Sequence, residues 1–582
     1  MKSGLGTQQS IGMMLTESTA SIPSVQERLA HIVSVSGSSA IALLDKVHSQ
    51  KVEPRKARIE MGALMKISTP HSMVMCLVSG ISCPVPESGS AISEIELVEL
   101  SLVGEIAINK PTMKPSFHRG VAHLPSVGDA VHFGNRADLE LVYSPASAAT
   151  IEVGQLYQDS NVPARLLIND LLRKHFIVVG TTGCGKSSAI RCILDGILRD
   201  HSFARIVVLD IHDEYRGAFG NMAEQINPSS FRLPFWLMNF EELTFALTTC
   251  DEEHALETEI LADAILAAKR RYSDAQSGRL RRASEASGIT VDTPTPFRLS
   301  DVTFYIDERL GRLEKTQGVH LYRRLKARIE SLVGDPRFNF MFGATVIEDT
   351  MGEVLGRLFR VPVGERPVAV LNLASLPPEI LDIVISVISR LAFDLGVWSA
   401  GSIPMLLVCE EAHRYAPSSM DGKFVPTRAA LARIAKEGRK HGVSLGLVTQ
   451  RPSELDQTIL SQCSTIIAMR LATERDQHVV RANTHDGAPD LLDYLPLLEE
   501  REAIILGQGV IMPMRIKFRD IGSANQSVEE LKEFSSAWKD PGMDQKGMDS
   551  IVKSWRQVAK VVEGYQSADH RMSENQTARA NP

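Results

Sequence analysis

The pattern of apolar and polar residues differs between the N-terminal part of the chain and the remainder. From about Glu27 to Phe133, short apolar and β-branched runs are separated by Gly, Ser and Pro. Such runs are typical of the strands of a small all-β domain. They predict an N-terminal β-barrel, although their imperfect alternation leaves a β-sandwich as the alternative.

From Lys174 to about Phe518, near-continuous apolar runs alternate with amphipathic helical segments. The strand-like runs are Phe176–Gly180, Arg205–Asp210, Val368–Ala374, Met405–Glu411, Val443–Gln450 and Ser464–Leu471. Uninterrupted apolar strands separated by helices are what a parallel sheet covered on both faces requires. The predicted fold class is therefore α/β, with a doubly wound parallel sheet.

A long segment separates the second and third of these runs. It extends from about Phe231 to Arg366 and is rich in helical patterns. A simple crossover needs far fewer residues, so we expect an inserted helical subdomain. Within it, residues 273–296 are polar and rich in turn formers, which predicts a mobile loop.

These patterns predict four regions. Residues 1–24 are expected to form a disordered arm, and residues 25–150 the β-barrel, which serves assembly or partner docking. Residues 151–518 form the core with its insert at about 231–366, and residues 519–582 form C-terminal helices and a polar tail. The stretch Asn135–Ala164 is interpreted as a linker, and helices are expected at Ser527–Trp538 and Asp549–Val562.

Composition restricts the class of protein. The chain has 582 residues, of which 44% are apolar and 23% charged, with a mean hydropathy of −0.04. This is the balance of a globular protein with several cores, and the sequence has no apolar run of about 20 residues that would span a membrane. The 7 cysteines are scattered singly, which indicates free thiols in a reducing cytoplasm.

The net charge of −7 indicates that the whole surface does not attract nucleic acid. A polyanionic partner would need a local basic surface, such as a channel, to bind despite this balance.

A complete phosphate-binding loop follows the first apolar run and opens a helix. Its cofactor-binding residues are Gly180, Thr181, Thr182, Gly183, Cys184, Gly185, Lys186, Ser187 and Ser188. The glycines allow the backbone to approach phosphates, and the helix N-terminus supplies N–H donors. Lys186 is expected to reach the β- and γ-phosphates of ATP, and the Ser187 hydroxyl to ligate Mg²⁺.

Two further strand ends carry candidate catalytic groups. Met405–Glu411 ends in two carboxylates, of which Glu410 is predicted to ligate Mg²⁺ and Glu411 to act on the attacking water. An Asp is usual where Glu410 stands. Gln450 ends another strand, where an amide can sense the γ-phosphate, and a turn-forming role is the alternative.

A cationic segment precedes that strand. The predicted helix from about Thr427 to Lys440 ends in basic residues, which the helix dipole alone would explain. The alternative is that Arg439 is an arginine finger that reaches a neighbouring subunit's γ-phosphate. Arg470 is a second, weaker candidate for that role.

These motifs resemble the HerA-type hexameric DNA translocases, which are related to the FtsK motors. The resemblance rests on Gly180–Ser187, Val207–Tyr215, Leu233–Leu243, Asp335–Phe338, Glu410–Pro417 and Ala435–Leu455. It implies a RecA-like core preceded by a β-barrel, and a homo-hexameric ring with ATP sites between subunits. The Glu410–Glu411 pair is typical of this family.

The same resemblance locates a turn that supports the site. Here Ile211 and Asp213 stand where relatives tend to have Pro and Gly. Asp210, His212 and Glu214 are expected at the edge of a strand beside the phosphate-loop strand, in a supporting and not a catalytic role.

The resemblance further implies that DNA passes through the central pore of the ring. His413, Arg414 and the loop Tyr415–Pro426, with Lys423, are candidates to couple hydrolysis to DNA. The basic residues Lys269, Arg270, Arg271, Arg279, Arg281 and Arg282 are the rival pore lining, although a solvated helix face is the favoured explanation for them.

Relatives work with a nuclease in DNA end processing or beside a nuclease or NAD-consuming effector in anti-phage defence. The Met- and Ser-rich N-terminal arm and the divergent tail slightly favour defence. The rival hypothesis is a structural ring that scaffolds a partner effector with little translocation. A transporter subunit or GTPase is disfavoured because the sequence has no LSGGQ-like or NKxD motif.

Overall fold

The structure is a computed structural model that describes residues 28–45, 59–83, 96–109, 114–143, 148–228, 230–248, 253–276, 288–312, 318–343, 347–419, 425–484, 489–521, 548–549 and 551–552. The chain divides into two compact units, Met1–Asn135 and Arg136–Pro582. The arm predicted at 1–24 and the helix predicted at Ser527–Trp538 lie outside the described residues, as does most of the helix predicted at Asp549–Val562.

Among the described residues of the N-terminal unit, the strands form one sheet. They are β1 (Ala30–Ser36), β2 (Ser39–Leu44), β3 (Leu64–Ser68), β4 (Met73–Ser82), β5 (Leu97–Asn109), β6 (Lys114–Arg119) and β7 (Ala130–Phe133). Their order is β2-β1-β7-β3-β4-β5-β6, and a further antiparallel pairing of β2 with β5 closes the sheet on itself. The predicted barrel, and not the sandwich, is therefore confirmed.

The barrel core is filled by inward-facing apolar side chains from several strands. Ile32, Ala42, Val74, Cys76 and Leu100 are each fully buried. The bulges in the pairing of β4 with β5 explain why the alternation in the sequence is imperfect, because an extra residue at a bulge shifts the period of two.

The second unit contains one long sheet. Its strands are β8 (Thr150–Leu156), β9 (Pro163–Leu167), β10 (Phe176–Val179), β11 (Ile206–Asp210), β12 (Ala223–Ile226), β13 (Val368–Asn372), β14 (Met405–Cys409), β15 (Val443–Thr449), β16 (Thr465–Ala468), β17 (Glu502–Gly507) and β18 (Met514–Phe518). The order is β12-β13-β11-β14-β15-β10-β16-β17-β18-β8-β9.

The half of this sheet from β12 to β16 is parallel. Each of the six apolar runs in the sequence contains one of these strands, so the predicted parallel sheet is confirmed. The expectation that Asp210 ends a strand beside β10 is wrong, because β15 and β14 lie between β10 and β11. The carboxyl ends of β10, β14 and β15 nevertheless share one edge of the sheet.

The half from β16 to β9 is antiparallel and was not predicted. The interpretation of Asn135–Ala164 as a linker is wrong, since this stretch contains a helix (Arg136–Tyr143) and β8. Two glycines allow close strand contact here. A Cβ at Gly507 would lie 1.9 Å from the Ser464 carbonyl oxygen, and one at Gly154 would lie 2.1 Å from that of Lys517.

Helices cover the sheet and form the insert. They are α1 (Arg136–Tyr143), α2 (Ile168–Arg173), α3 (Lys186–Asp200), α4 (Phe240–Leu247), α5 (His254–Gln276), α6 (Leu299–Arg312), α7 (Val319–Gly334), α8 (Asn339–Phe342), α9 (Met351–Leu358), α10 (Pro378–Trp398), α11 (Val425–Glu437), α12 (Gln457–Leu460) and α13 (Glu474–Ala482). Helices α4 to α9 occupy the predicted insert. Among the described residues, no helix has both the length and the apolar composition needed to cross a membrane.

Candidate active site

The phosphate-binding loop has the backbone that its glycines permit. Gly183 and Gly185 have φ angles of 77° and 98°, in the left-handed region that favours glycine. A Cβ at Gly180 would lie 2.6 Å from the Cys184 Sγ, so the loop is tightly folded. Helix α3 begins at Lys186, and its N-terminal N–H groups point into the loop as anion donors.

The loop is supported by two neighbouring strands. The Thr181 N–H donates to the Arg470 carbonyl at 2.9 Å at the end of β16. The Arg501 N–H donates to the Cys184 carbonyl at 2.9 Å just before β17. The second contact comes from the antiparallel half of the sheet, which therefore helps to hold the loop in place.

Lys186 and Glu411 face each other, as expected for a site formed at one sheet edge. The Lys186 Nζ lies 4.0 Å from the Glu411 Oε1, and both side chains are largely buried. Burial raises the pKa of Glu411, and the nearby Lys186 ammonium opposes that rise. Glu411 has a φ of 47°, which turns the chain sharply after β14 and directs the carboxylate to the loop.

Glu410 has different surroundings. Burial, with the Glu214 and Asp210 carboxylates nearby, raises its pKa to about 11. The Ser187 hydroxyl donates to the Glu214 carboxylate, which joins the predicted metal ligands to the Asp210–Tyr215 turn. Ligand atoms of His212, Glu214 and Glu410 lie within 4.8 Å of one another.

This acidic cluster fits a divalent cation. Glu410 is 2% exposed, and its buried Oε2 has no hydrogen-bond partner among the described residues. A cation would satisfy that oxygen and offset the repulsion between the carboxylates. Oxygen donors from Ser187, Glu214 and Glu410 are the type that Mg²⁺ prefers.

Gln450 lies at the end of β15, directly opposite the loop. Its Oε1 accepts a hydrogen bond from the Thr182 hydroxyl at 2.6 Å. The site residues predicted on the three strands therefore lie together in one cleft.

Arg439 lies elsewhere. It is exposed in a 3-10 turn (Gly438–His441) between α11 and β15, at the sheet edge opposite the phosphate loop. The predicted helix through Lys440 instead ends at Glu437. Arg470 is half-buried beside the loop, and its backbone carbonyl is the group in contact there.

The basic residues that were candidates for DNA contact differ in how far they are buried. Arg414 is exposed, and its Nη1 lies 2.8 Å from the His212 Nε2. His413 is buried. Lys269 is fully buried, and its ammonium donates to the Val291 and Thr293 carbonyls at 2.6 Å each. The prediction that it lies on a solvated helix face is therefore wrong. Lys423, Arg279, Arg281 and Arg282 lie outside the described residues.

Two contacts at the site were not anticipated from the sequence. The sequence predicts a supporting role for Glu214 but not its direct bond to Ser187, and it predicts no role for Arg501. The acidic pattern Asp210–Glu214 was the available signal for the first contact. No local signal marks Arg501, because its partner Cys184 is remote in the chain.

The chain is similar in sequence to proteins named as HerA helicases. Residues 151–392 match the family model described as "Helicase HerA, central domain". The DNA double-strand break repair helicase HerA of Pyrococcus furiosus is 26% identical, over 67% of this chain and 72% of that protein. The protein of the same name from Sulfurisphaera tokodaii is 26% identical, over 82% and 92%. The matched family range contains the phosphate loop and the Asp210–Glu214 turn.

Among solved structures, the chain is similar to VirB4 of Thermoanaerobacter pseudethanolicus. The TM-score is 0.45 and the sequence identity 15%, with 65% of this chain and 98% of that chain covered.

Proposed function

We propose that this chain is a P-loop ATPase of the HerA family, which hydrolyses ATP to move DNA through the pore of a homo-hexameric ring. The observation that carries the proposal is that Glu411 and Gln450, from the ends of β14 and β15, meet the phosphate loop and its Lys186 at the start of α3. The similarity to proteins named as DNA repair helicases supports DNA as the translocated polymer.

The roles of the residues follow from the geometry of the cleft. Bound ATP with Mg²⁺ supplies the phosphoanhydride bond and the charge that makes the γ-phosphoryl group transferable. The loop N–H groups and Lys186 bind the phosphate oxygens. Ser187 and Glu410, with Glu214, would hold the cation. Glu411 then orients the attacking water and accepts its proton.

Gln450 is suited to report the state of the nucleotide. Its amide contacts Thr182 within the loop, so a change at the γ-phosphate alters a contact at the end of β15. The exposed Arg414 follows Glu411 closely in the chain and is our candidate to transmit that change to DNA. Arg439 would complete the site of the neighbouring subunit.

The ATPase proposal is tested by DNA-stimulated phosphate release from Lys186→Ala and Glu411→Gln variants. We expect Lys186→Ala to lose nucleotide binding. Glu411→Gln should bind ATP normally but lower kcat by about 10²-fold or more, because the general base is gone. Glu140→Gln, which changes an exposed carboxylate of α1, serves as the control and should be unaffected. Full hydrolysis by Glu411→Gln would refute the assignment.

Ring assembly and DNA movement need separate measurements. The proposal expects a native mass of six subunits and ATP-dependent displacement of a strand or roadblock from duplex DNA. A net charge of −7 predicts that DNA binding is confined to a local basic surface and weakens with salt. A ring that activates a partner equally well with Lys186→Ala would instead support the scaffold hypothesis.

The barrel is the unit that we assign to assembly or partner docking. We propose a nuclease or an NAD-consuming effector as the partner, in cytoplasmic DNA processing or anti-phage defence. Co-purification from the native host, with and without residues 1–135, tests this assignment. Recovery of the same partner by the truncated chain would contradict it.

A further inference from the structure

His413 lies between the ends of two strands of the site. It follows β14 in a 3-10 turn (Ala412–Arg414), and its side chain is 8% exposed. Its Nδ1 lies 3.0 Å from the Thr449 Oγ1 at the end of β15 and 3.3 Å from the Glu411 Oε2. One ring nitrogen therefore faces both the proposed general base and the neighbouring strand.

The surroundings determine where the imidazole carries its proton. Burial lowers the pKa of His413 to about 4, so the ring is neutral near pH 7 and has one N–H group. A lone pair on Nδ1 would repel the carboxylate oxygen of Glu411 at 3.3 Å. The proton therefore belongs on Nδ1, and the Thr449 Oγ1 accepts a hydrogen bond from this N–H, as it also does from the Arg451 N–H at 3.1 Å.

The two oxygens of Glu411 depend on different neighbours. Oε1 faces Lys186, whereas the buried Oε2 has no aligned hydrogen bond among the described residues. In the proposed function Lys186 turns to the phosphates when ATP binds. Glu411 then loses its cation, and the His413 N–H remains within reach of its carboxylate, together with the backbone N–H of Gln450.

We propose that His413 is a positioning residue that holds the Glu411 carboxylate for water activation once Lys186 has moved to the phosphates. The inference rests on the proposed ATPase function and deepens it. Since the same N–H also faces the Thr449 hydroxyl, its position relative to Glu411 depends on the end of β15, where Gln450 contacts the phosphate loop. His413 thus links the general base to the nucleotide-sensing strand.

The test compares kcat and KM for ATP in three His413 variants of the full chain. His413→Asn retains an N–H near the position of Nδ1, His413→Gln places its amide near Nε2, and His413→Leu has no donor. We expect kcat to fall about 10-fold or more in the Leu and Gln variants, to remain within about threefold in the Asn variant, and KM to change little.

A double-mutant cycle separates positioning from simple packing. If His413 acts through Glu411, His413→Leu should lower kcat no further in a Glu411→Gln background. His175→Leu is the matched control, because His175 is also buried but lies at the opposite end of β10. It should lower the melting temperature without changing the kcat of the folded protein.

Three results would overturn the inference. The first is an equal kcat in the His413→Gln and His413→Asn variants, and the second is an unchanged kcat in His413→Leu. The third is that His413→Leu lowers kcat by the same factor in the wild-type and Glu411→Gln backgrounds. These outcomes leave the proposed function intact as long as Glu411→Gln itself is inactive. An active Glu411→Gln would instead refute the proposed role of Glu411, on which the inference rests.

Discussion

Two adjacent glutamates at the end of β14 have different chemistry because their surroundings differ. Glu410 faces Asp210 and Glu214, and burial with these carboxylates raises its pKa to about 11. Glu411 turns to the other side, toward Lys186 and His413. The neighbouring carboxylates make Glu410 suited to bind a cation. When Lys186 moves to the phosphates, Glu411 is left able to accept a proton.

His175 provides a pH test that is independent of catalysis. Burial lowers its pKa to about 4, whereas an exposed histidine in the unfolded chain titrates near 6.5. The unfolded state therefore binds more protons between these values, so stability is complete above pH 6.5 and falls as the pH drops toward 4. The loss is at most about 3 kcal/mol for this residue.

Urea unfolding of the wild type and of His175→Gln at pH 7.5, 6, 5 and 4.5 measures this effect. The variant should be less stable at pH 7.5, because His175 bonds the Ala435 carbonyl and the Leu445 N–H. Its stability should then decline less steeply than that of the wild type. Parallel curves would show that His175 does not contribute to the acid dependence.

At the scale of elements, one buried ion pair joins the helical insert to the sheet helices. Glu242 caps the start of α4 and is 2% exposed. Arg390 of α10 donates to it at 2.9 Å, and the Ser386 hydroxyl donates at 2.9 Å. The Asn239 N–H donates at 2.9 Å as well, so α10 and the start of α4 together satisfy the carboxylate.

Arg390→Ala should destabilise this junction strongly. Removal of the guanidinium leaves Glu242 as a buried charge without its cation, at a cost of about 3–5 kcal/mol. Arg136→Ala breaks an exposed pair with Glu140 within α1 and should cost about 0.5 kcal/mol or less. Chemical denaturation of both variants tests the difference, and similar small losses would show that the Arg390 pair is not structurally important.

The strands that the sequence predicts are recognised from their own composition, whereas those it misses depend on pairing with residues distant in the chain. Val368–Asn372 and Met405–Cys409 are buried on both faces, so their composition alone identifies them as strands. β8 alternates polar and apolar residues in a polar stretch, and of its two pairing partners, β9 and β18, the second is remote in the chain. Composition cannot show such a pairing.

The same distinction holds within the site. The residue types at Lys186, Glu410, Glu411 and Gln450 followed from local motifs. The bonds of Ser187 to Glu214 and of His413 to Thr449 join separate elements, and only the order of the strands brings them together.

At the scale of the whole molecule, the direction of the parallel strands places two predicted groups at opposite edges of the sheet. β15 extends from Val443 to Thr449, so Arg439 before it lies about 20 Å from Gln450 after it. Arg439 therefore cannot contact the phosphate loop of its own chain. An arginine finger at this position must act on another copy.

Mixed rings test that requirement directly. Lys186→Ala subunits lack a functional phosphate loop but retain Arg439, and Arg439→Ala subunits have the reverse defect. Each variant alone should be inactive. When the two are unfolded together and reassembled, a site formed by an intact loop and a neighbour's intact Arg439 is complete, so phosphate release should reappear. If sedimentation shows rings of both chains and the mixture is still as inactive as its components, Arg439 acts only as a basic residue of the turn after α11.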